Sequence, residues 1–151
     1  MTLSANTKKT KTHILRLKPD DNVEEALLSY CKEHKIKSAY IPVFQGGLKS
    51  CTLIAMKKSE NNNKPDDSET EINEPLEFFG QGIICPNEQG KLTLHIHLSG
   101  ARKDHTMIGG HLVRGEIVFH AECVLVETNK INIVRKPDKE IYNYPLIHFG
   151  D

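Results

Sequence analysis

Between Leu92 and Leu98 the chain alternates without a break: Leu92, Leu94, Ile96 and Leu98 interleave with Thr93, His95 and His97. An extended strand turns successive side chains to opposite faces, so this pattern requires a sheet with one face packed on a core. It also sets both imidazoles on the other face, with Cα atoms roughly 6.5–7 Å apart. Two imidazoles at that spacing can converge on one metal ion. A third follows in Gly109-Gly110-His111, where the paired glycines predict a flexible hinge.

The rest of the chain is arranged around strands. Residues 1–11 are polar and aperiodic and predict a flexible N-terminal arm, leaving residues 12–151 as a single domain. His13–Lys18 alternates as a first strand. Pro19-Asp20-Asp21-Asn22 offers helix N-caps, with Asp21 and Glu24 at capping-box spacing, and Val23, Leu27, Tyr30 and Cys31 follow on one face of a helix ending near His34. Ser38–Phe44 and Leu48–Met56 predict two strands parted by Gln45-Gly46-Gly47, with Pro42 marking the former as an edge or an irregular strand. Residues 57–75 are almost wholly polar and predict a long, disordered surface loop.

Leu76–Phe79 and Gly82–Cys85 read as short strands, Pro86–Gly90 as a turn, and residues 99–110 as irregular. Gly115–Glu127 is the longest strand. On it Ile117, Phe119, Ala121, Cys123 and Leu125 alternate with Val118, His120, Glu122, Val124 and Val126. Apolar members on both sides predict cover on both faces, as at a subunit interface. One principal helix and about six or seven strands in short-loop succession describe an α+β fold with a mainly antiparallel sheet.

Charge narrows the function. Lys and Arg total 20, as do Asp and Glu, so the chain lacks the basic excess on which dedicated DNA-binding domains rely. Only Lys8, Lys9 and Lys11 form a local basic cluster. No run approaches the ~20 apolar residues of a membrane span, and no signal-peptide core opens the chain, which predicts a cytoplasmic protein. Cys31, Cys51, Cys85 and Cys123 show no C-x-x-C spacing and read as free, buried thiols.

The histidines carry the chemistry. Imidazole is the commonest side-chain ligand for zinc, and three of them with an open position can polarise a water or bind an anion. The spacing alone leaves a metal site and a solvated sheet face equally open. His105, His120, His148 and Asp104 are weaker candidates: a loop residue, a packing histidine, a terminal residue and a solvated acid that could orient an imidazole. Cupins also place H-x-H on a strand, but they add a Glu three or four residues later, where this chain has Gly100 and Ala101. No nucleophilic triad or phosphate-binding loop is present. Any catalysis would rest on the metal.

Read in order, Leu94-His-Ile-His-Leu98, Ile108-Gly-Gly-His-Leu112 and Gly115-Glu-Ile-Val118 resemble the PPC domain shared by plants and prokaryotes, in its stand-alone prokaryotic form. Leu15-Arg-Leu-Lys-Pro-Asp20, Cys31-Lys-Glu-His34-Lys-Ile36 and Gly46-Gly-Leu48 extend the likeness over roughly residues 12–150. The resemblance implies a bent, mainly antiparallel sheet, a homotrimer, and a metal, zinc, at His95, His97 and His111. Plant members join this domain to AT-hooks, whose arginines enter a narrow minor groove. This chain has no Arg-Gly-Arg core, so DNA binding is expected to be weak. The expectation is therefore a non-enzymatic, homotrimeric metal- or ligand-binding module, DNA-associated or regulatory, with room for a small anion. The alternative is a metal-dependent enzyme acting on a small molecule at the same three histidines.

Overall fold

The computed structural model describes residues 10–58, 65–128 and 131–150. In chain order its elements are β1 (Thr12–Leu17), α1 (Val23–Glu33), β2 (Ala39–Lys58), β3 (Pro65–Ile72), β4 (Leu76–Pro86), β5 (Leu92–Ala101), β6 (Met107–Glu127), β7 (Ile133–Asp138), a 3-10 turn at Lys139–Ile141 and β8 (Tyr144–Phe149). Six strands form one antiparallel sheet in the order β1-β6-β5-β4-β2-β3, and β7 with β8 makes a separate hairpin. Because β2 also pairs with β6, strands β2, β4, β5 and β6 close into a ring. Phe44, Leu48, Leu76, Ile84, Ile96 and Ile117 are fully buried in the core. The fold is α+β.

Helix α1 covers this core with the face its sequence marks, burying Val23, Leu27 and Cys31. Its N-cap is Asn22 rather than Asp21: the Asn22 side chain accepts from the Glu25 N–H at 3.1 Å. Asp21 is engaged elsewhere. Its carboxylate accepts from the Lys18 N–H at 2.8 Å, and its carbonyl accepts from the Ile117 N–H at 3.0 Å. These bonds stitch the β1–α1 connection to β6.

Several expected breaks are absent. Ser38–Phe44, the glycine pair and Leu48–Met56 run together as β2, because ladders to β4 and β6 hold the backbone extended on both edges. Pro42, which has no N–H to give, sits where the register shifts against both partners, so it marks an irregularity and not an edge. A second shift sets Val118–His120 against Gly47 alone, since Gly46 pairs with Ala121 and Leu48 with Ile117. This bulge turns Phe119 outward, 74% exposed, although alternation had placed it with the buried Ile117 and Ala121. His120 is exposed in the same bulge instead of packed.

The polar segment 57–75 is not simply a loop. Pro65–Ile72 forms β3 against Cys51–Lys58, while residues 59–64 lie outside the described residues. Backbone pairing needs no apolar side chains. Ser68, Glu69, Thr70 and Glu71 are exposed and Ile72 is buried, a composition suited to a charged sheet edge. Arg114 secures this edge, donating to Thr52 Oγ1 at 2.8 Å and pairing with Glu71. Leu76–Phe79 and Gly82–Cys85 likewise join as β4. Of the expected arm, residues 1–9 also lie outside the described residues. Among the described residues no helix is long and apolar enough to cross a membrane.

Candidate metal centre

Two tight connections place the histidines. At the β4–β5 turn, Asn87 Oδ1 accepts from the Gln89 and Lys91 N–H groups at 3.1 and 2.9 Å. At the β5–β6 turn, the Arg102 N–H donates to Thr106 O and the His105 N–H to Arg102 O, each at 2.9 Å. This second turn sets the register in which His97 lies directly opposite His111. With Ile96, Leu98 and Gly100 buried on the core side, His95 and His97 occupy the outer face of β5, as the alternation requires.

Gly109 and Gly110 are not a hinge. Both lie within β6, and their role is close approach. A Cβ on Gly109 would sit 2.7 Å from Leu98 O, and one on Gly110 only 2.4 Å from Ile54 O. Bare backbone lets β6 fit between β5 and β2, and this presents His111 to the pair on β5.

The three imidazoles converge. Ring centroids are 5.0 Å apart for His95–His97, 4.7 Å for His95–His111 and 5.4 Å for His97–His111. One ligand nitrogen from each lies within 4.8 Å of the others. The Nε2 atoms of His95 and His97 are 3.2 Å apart, so two lone-pair positions face each other and need a proton or a cation between them. Tetrahedral zinc–imidazole bonds of about 2.0–2.1 Å place neighbouring nitrogens roughly 3.3 Å apart, which matches this spacing. Burial, followed by the Arg135 guanidinium and the His111 and His97 rings, pushes His95 down to about 4. Its ring is therefore neutral at physiological pH, the state in which imidazole can ligate a metal. This donor set fits zinc.

The other candidates stay apart from this cluster. His105 is exposed in the β5–β6 turn with a φ of 65°. Asp104 orients no imidazole; its carboxylate accepts from the Thr106 N–H and hydroxyl at 3.0 and 2.6 Å. His148 faces Asp138 at 3.6 Å within the C-terminal hairpin. That hairpin contributes a residue the sequence pattern did not single out, Arg135 on β7. Its strand packs beside β4, bridging at Asn87, and no periodic signal within Ile133–Asp138 connects it to the histidines. The four cysteines are free and buried, and burial pushes their thiols up, to about 11 for Cys31 and Cys51 and about 12 for Cys123.

A ring of antiparallel strands with three imidazoles converging from adjacent strands defines a small α+β domain with a candidate metal centre. Residues 4–129 match the Plants and Prokaryotes Conserved (PCC) domain, and the chain belongs to that family. Its fold is similar to that of a plant- and prokaryote-conserved protein from Pyrococcus horikoshii, at 24% identity over 99% of both chains with a TM-score of 0.83. A metal-containing protein from Archaeoglobus fulgidus is 22% identical over 99% of this chain and 100% of its own, with a TM-score of 0.81. A candidate DNA-binding protein from Bacteroides thetaiotaomicron is 23% identical over 96% and 98%, with a TM-score of 0.72. The bifunctional protein GlmU of Synechococcus sp. (strain JA-3-3Ab) is 25% identical over 130 residues; the match spans 85% of this chain and 19% of that protein.

Proposed function

We propose that this protein is a non-enzymatic, homotrimeric module that binds zinc through His95, His97 and His111 and offers the site to a small anionic ligand, in a regulatory or weakly DNA-associated role. The observation that carries this reading is the convergence of three imidazole nitrogens within 4.8 Å from two paired strands. When bound, the ion supplies a Lewis-acidic position for an anion or a water. The chain holds the His95 ring neutral and brings all three imidazoles together. Its buried thiols are poorly suited as ligands in their protonated form.

Apolar residues on the outer face support self-association. Ile14, Val124 and Val43 lie in one row across β1, β6 and β2, and Ile14 is 82% exposed. Tyr40, Phe79 and Phe119 are exposed as well. Apolar surface of this extent on a sheet favours burial against another chain. Balanced charge supports only weak DNA association. The likeness to a candidate DNA-binding protein keeps that association in view.

Metal analysis of protein purified without an affinity tag tests the site. One zinc per wild-type chain is expected, with loss from His97→Ala. Absence of metal from wild type, or full retention by the variant, refutes the reading. Metal-dependent turnover of a small molecule would replace the binding module with an enzyme.

A further inference from the structure

A second concave site lies apart from the histidines. The α1–β2 connection and the β4–β5 turn together line a cavity of about 460 Å³, within the size range of small-molecule sites. Its floor is Cys31, Ile36, Pro86 and Leu92, and Leu92 packs against the core, on the face of β5 opposite to His95 and His97. Burial pushes the Cys31 thiol up to about 11, so it stays protonated and adds no charge to this floor. Gly90 lines the turn side, where nothing lies within 4 Å of a built Cβ and the mouth is open.

Charge at this cavity is one-sided. Lys32, Lys35 and Lys37 all line it and are exposed, while Glu33 and Glu88 stand close by in the chain without lining it. Among the described residues none of the three ammonium groups pairs with a carboxylate. Lys35 carries a second signal. Its φ of 54° is left-handed, and it closes the helix: the Ile36 N–H donates to Cys31 O at 2.8 Å and the Lys35 N–H to Lys32 O at 3.2 Å. Glycine is the usual residue at such a helix end, because a side chain is strained there. A lysine stands there at a conformational cost, with no acid among the described residues to pair it. Three cations around an apolar floor match an anionic head on an apolar body, whose burial displaces water from the floor. The recess is too small for a stable protein interface, which buries roughly 1,200–2,000 Å², and its floor is withdrawn from a flat lipid surface.

We propose that the cavity between the end of α1 and the β4–β5 turn binds a small amphipathic anion, its carboxylate or phosphate head held by Lys32, Lys35 and Lys37 and its apolar body laid on Ile36, Pro86 and Leu92. The site shares no residue with the histidine cluster, so it stands or falls independently of the metal reading.

The test titrates the full chain by calorimetry with octanoate and octyl phosphate below their micellar concentrations, beside acetate as head alone and 1-octanol as tail alone. Wild type is expected to bind one of the two octyl anions more tightly than acetate or 1-octanol, and the preferred head separates a carboxylate from a phosphate ligand. Lys35→Gly relieves the left-handed strain, so it should keep or raise Tm while binding about three-fold more weakly. Lys32→Gln, Lys35→Gly and Lys37→Gln combined should bind about ten-fold or more weakly. The proposal is overturned by wild type that binds neither octyl anion, by equal affinity for 1-octanol, or by a combined variant that binds as wild type does. Binding to phosphatidylglycerol vesicles or to a polyglutamate peptide, with none to the octyl anions, assigns the lysines to a lipid surface or an acidic partner and also overturns it. Should the combined variant fail to fold, Lys35→Gly decides, and affinity equal to wild type overturns the proposal.

Discussion

Gly110→Ala is a demanding substitution for this structure, because it loads one methyl group onto the seam that positions His111. The added Cβ would lie 2.4 Å from Ile54 O, where real contacts of this kind essentially never fall below 3.0 Å. The obstacle is backbone, not the end of a flexible side chain, so β6 must move from β2 by about 0.6 Å or more, the gap between those two values. Moving that way strains the ladder in which Gly110 pairs with Leu98 and His111 with His97. Overpacking of this kind costs about 1–3 kcal/mol. For a domain of this size that is a drop of roughly 3–10 °C in Tm. The neighbouring His111 shifts with the strand, and a displacement near 1 Å spoils a preorganised ligand set. Metal-free thermal unfolding gives the stability loss, and competition with a chromophoric zinc chelator gives the affinity. Gly90→Ala is the control: Gly90 has a φ of 75° and nothing within 4 Å of a built Cβ, so it should cost about 1 kcal/mol and leave zinc affinity intact. Wild-type stability and zinc affinity in Gly110→Ala would refute the close-packing argument.

Other expectations follow from the same geometry. His13 joins three elements, with Nδ1 at 3.0 Å from the Tyr30 hydroxyl and Nε2 at 2.8 Å from Glu127 Oε1. His13→Ala deprives the buried Glu127 of this partner and should cost about 2 kcal/mol, read as a lower urea midpoint; an unchanged midpoint counts against the link. Burial raises all four thiols, so they should react slowly with a disulfide reagent at pH 8 until the protein is denatured, and a fast native phase of one thiol per chain would contradict this. Ile14→Glu puts charge at the most exposed end of the apolar row and should shift light scattering from trimer toward monomer, whereas an unaltered mass places the interface elsewhere. DNA binding, if carried by Lys8, Lys9 and Lys11, should be weak, fall steeply with salt and vanish when all three become Ala. Tight binding at physiological salt by that variant would overturn the electrostatic reading.

How much was legible depended on whether a feature is local. Alternation from Leu92 to Leu98 determined a strand, its buried face and the side on which His95 and His97 project, because period-two patterning acts within a single element. The helix was legible for the same reason, but which of the offered caps is used was not: Asn22 serves, because Asp21 is drawn away by a backbone bond to β6 that no local pattern reveals. Strand β3 was invisible, since a charged edge pairs through its backbone and leaves no apolar signature. Phe119 faces outward because a bulge against Gly47 resets the alternation, and a bulge is a property of two strands together.

The histidine cluster divides along the same line. By itself the sequence determined the ligand type and the shared face of His95 and His97. Only the tertiary structure decided that His111 stands opposite His97 and that two glycines act by close approach and not as a hinge. Each of these depends on register between strands, which is settled by cross-strand hydrogen bonds and steric fit between residues far apart in the chain.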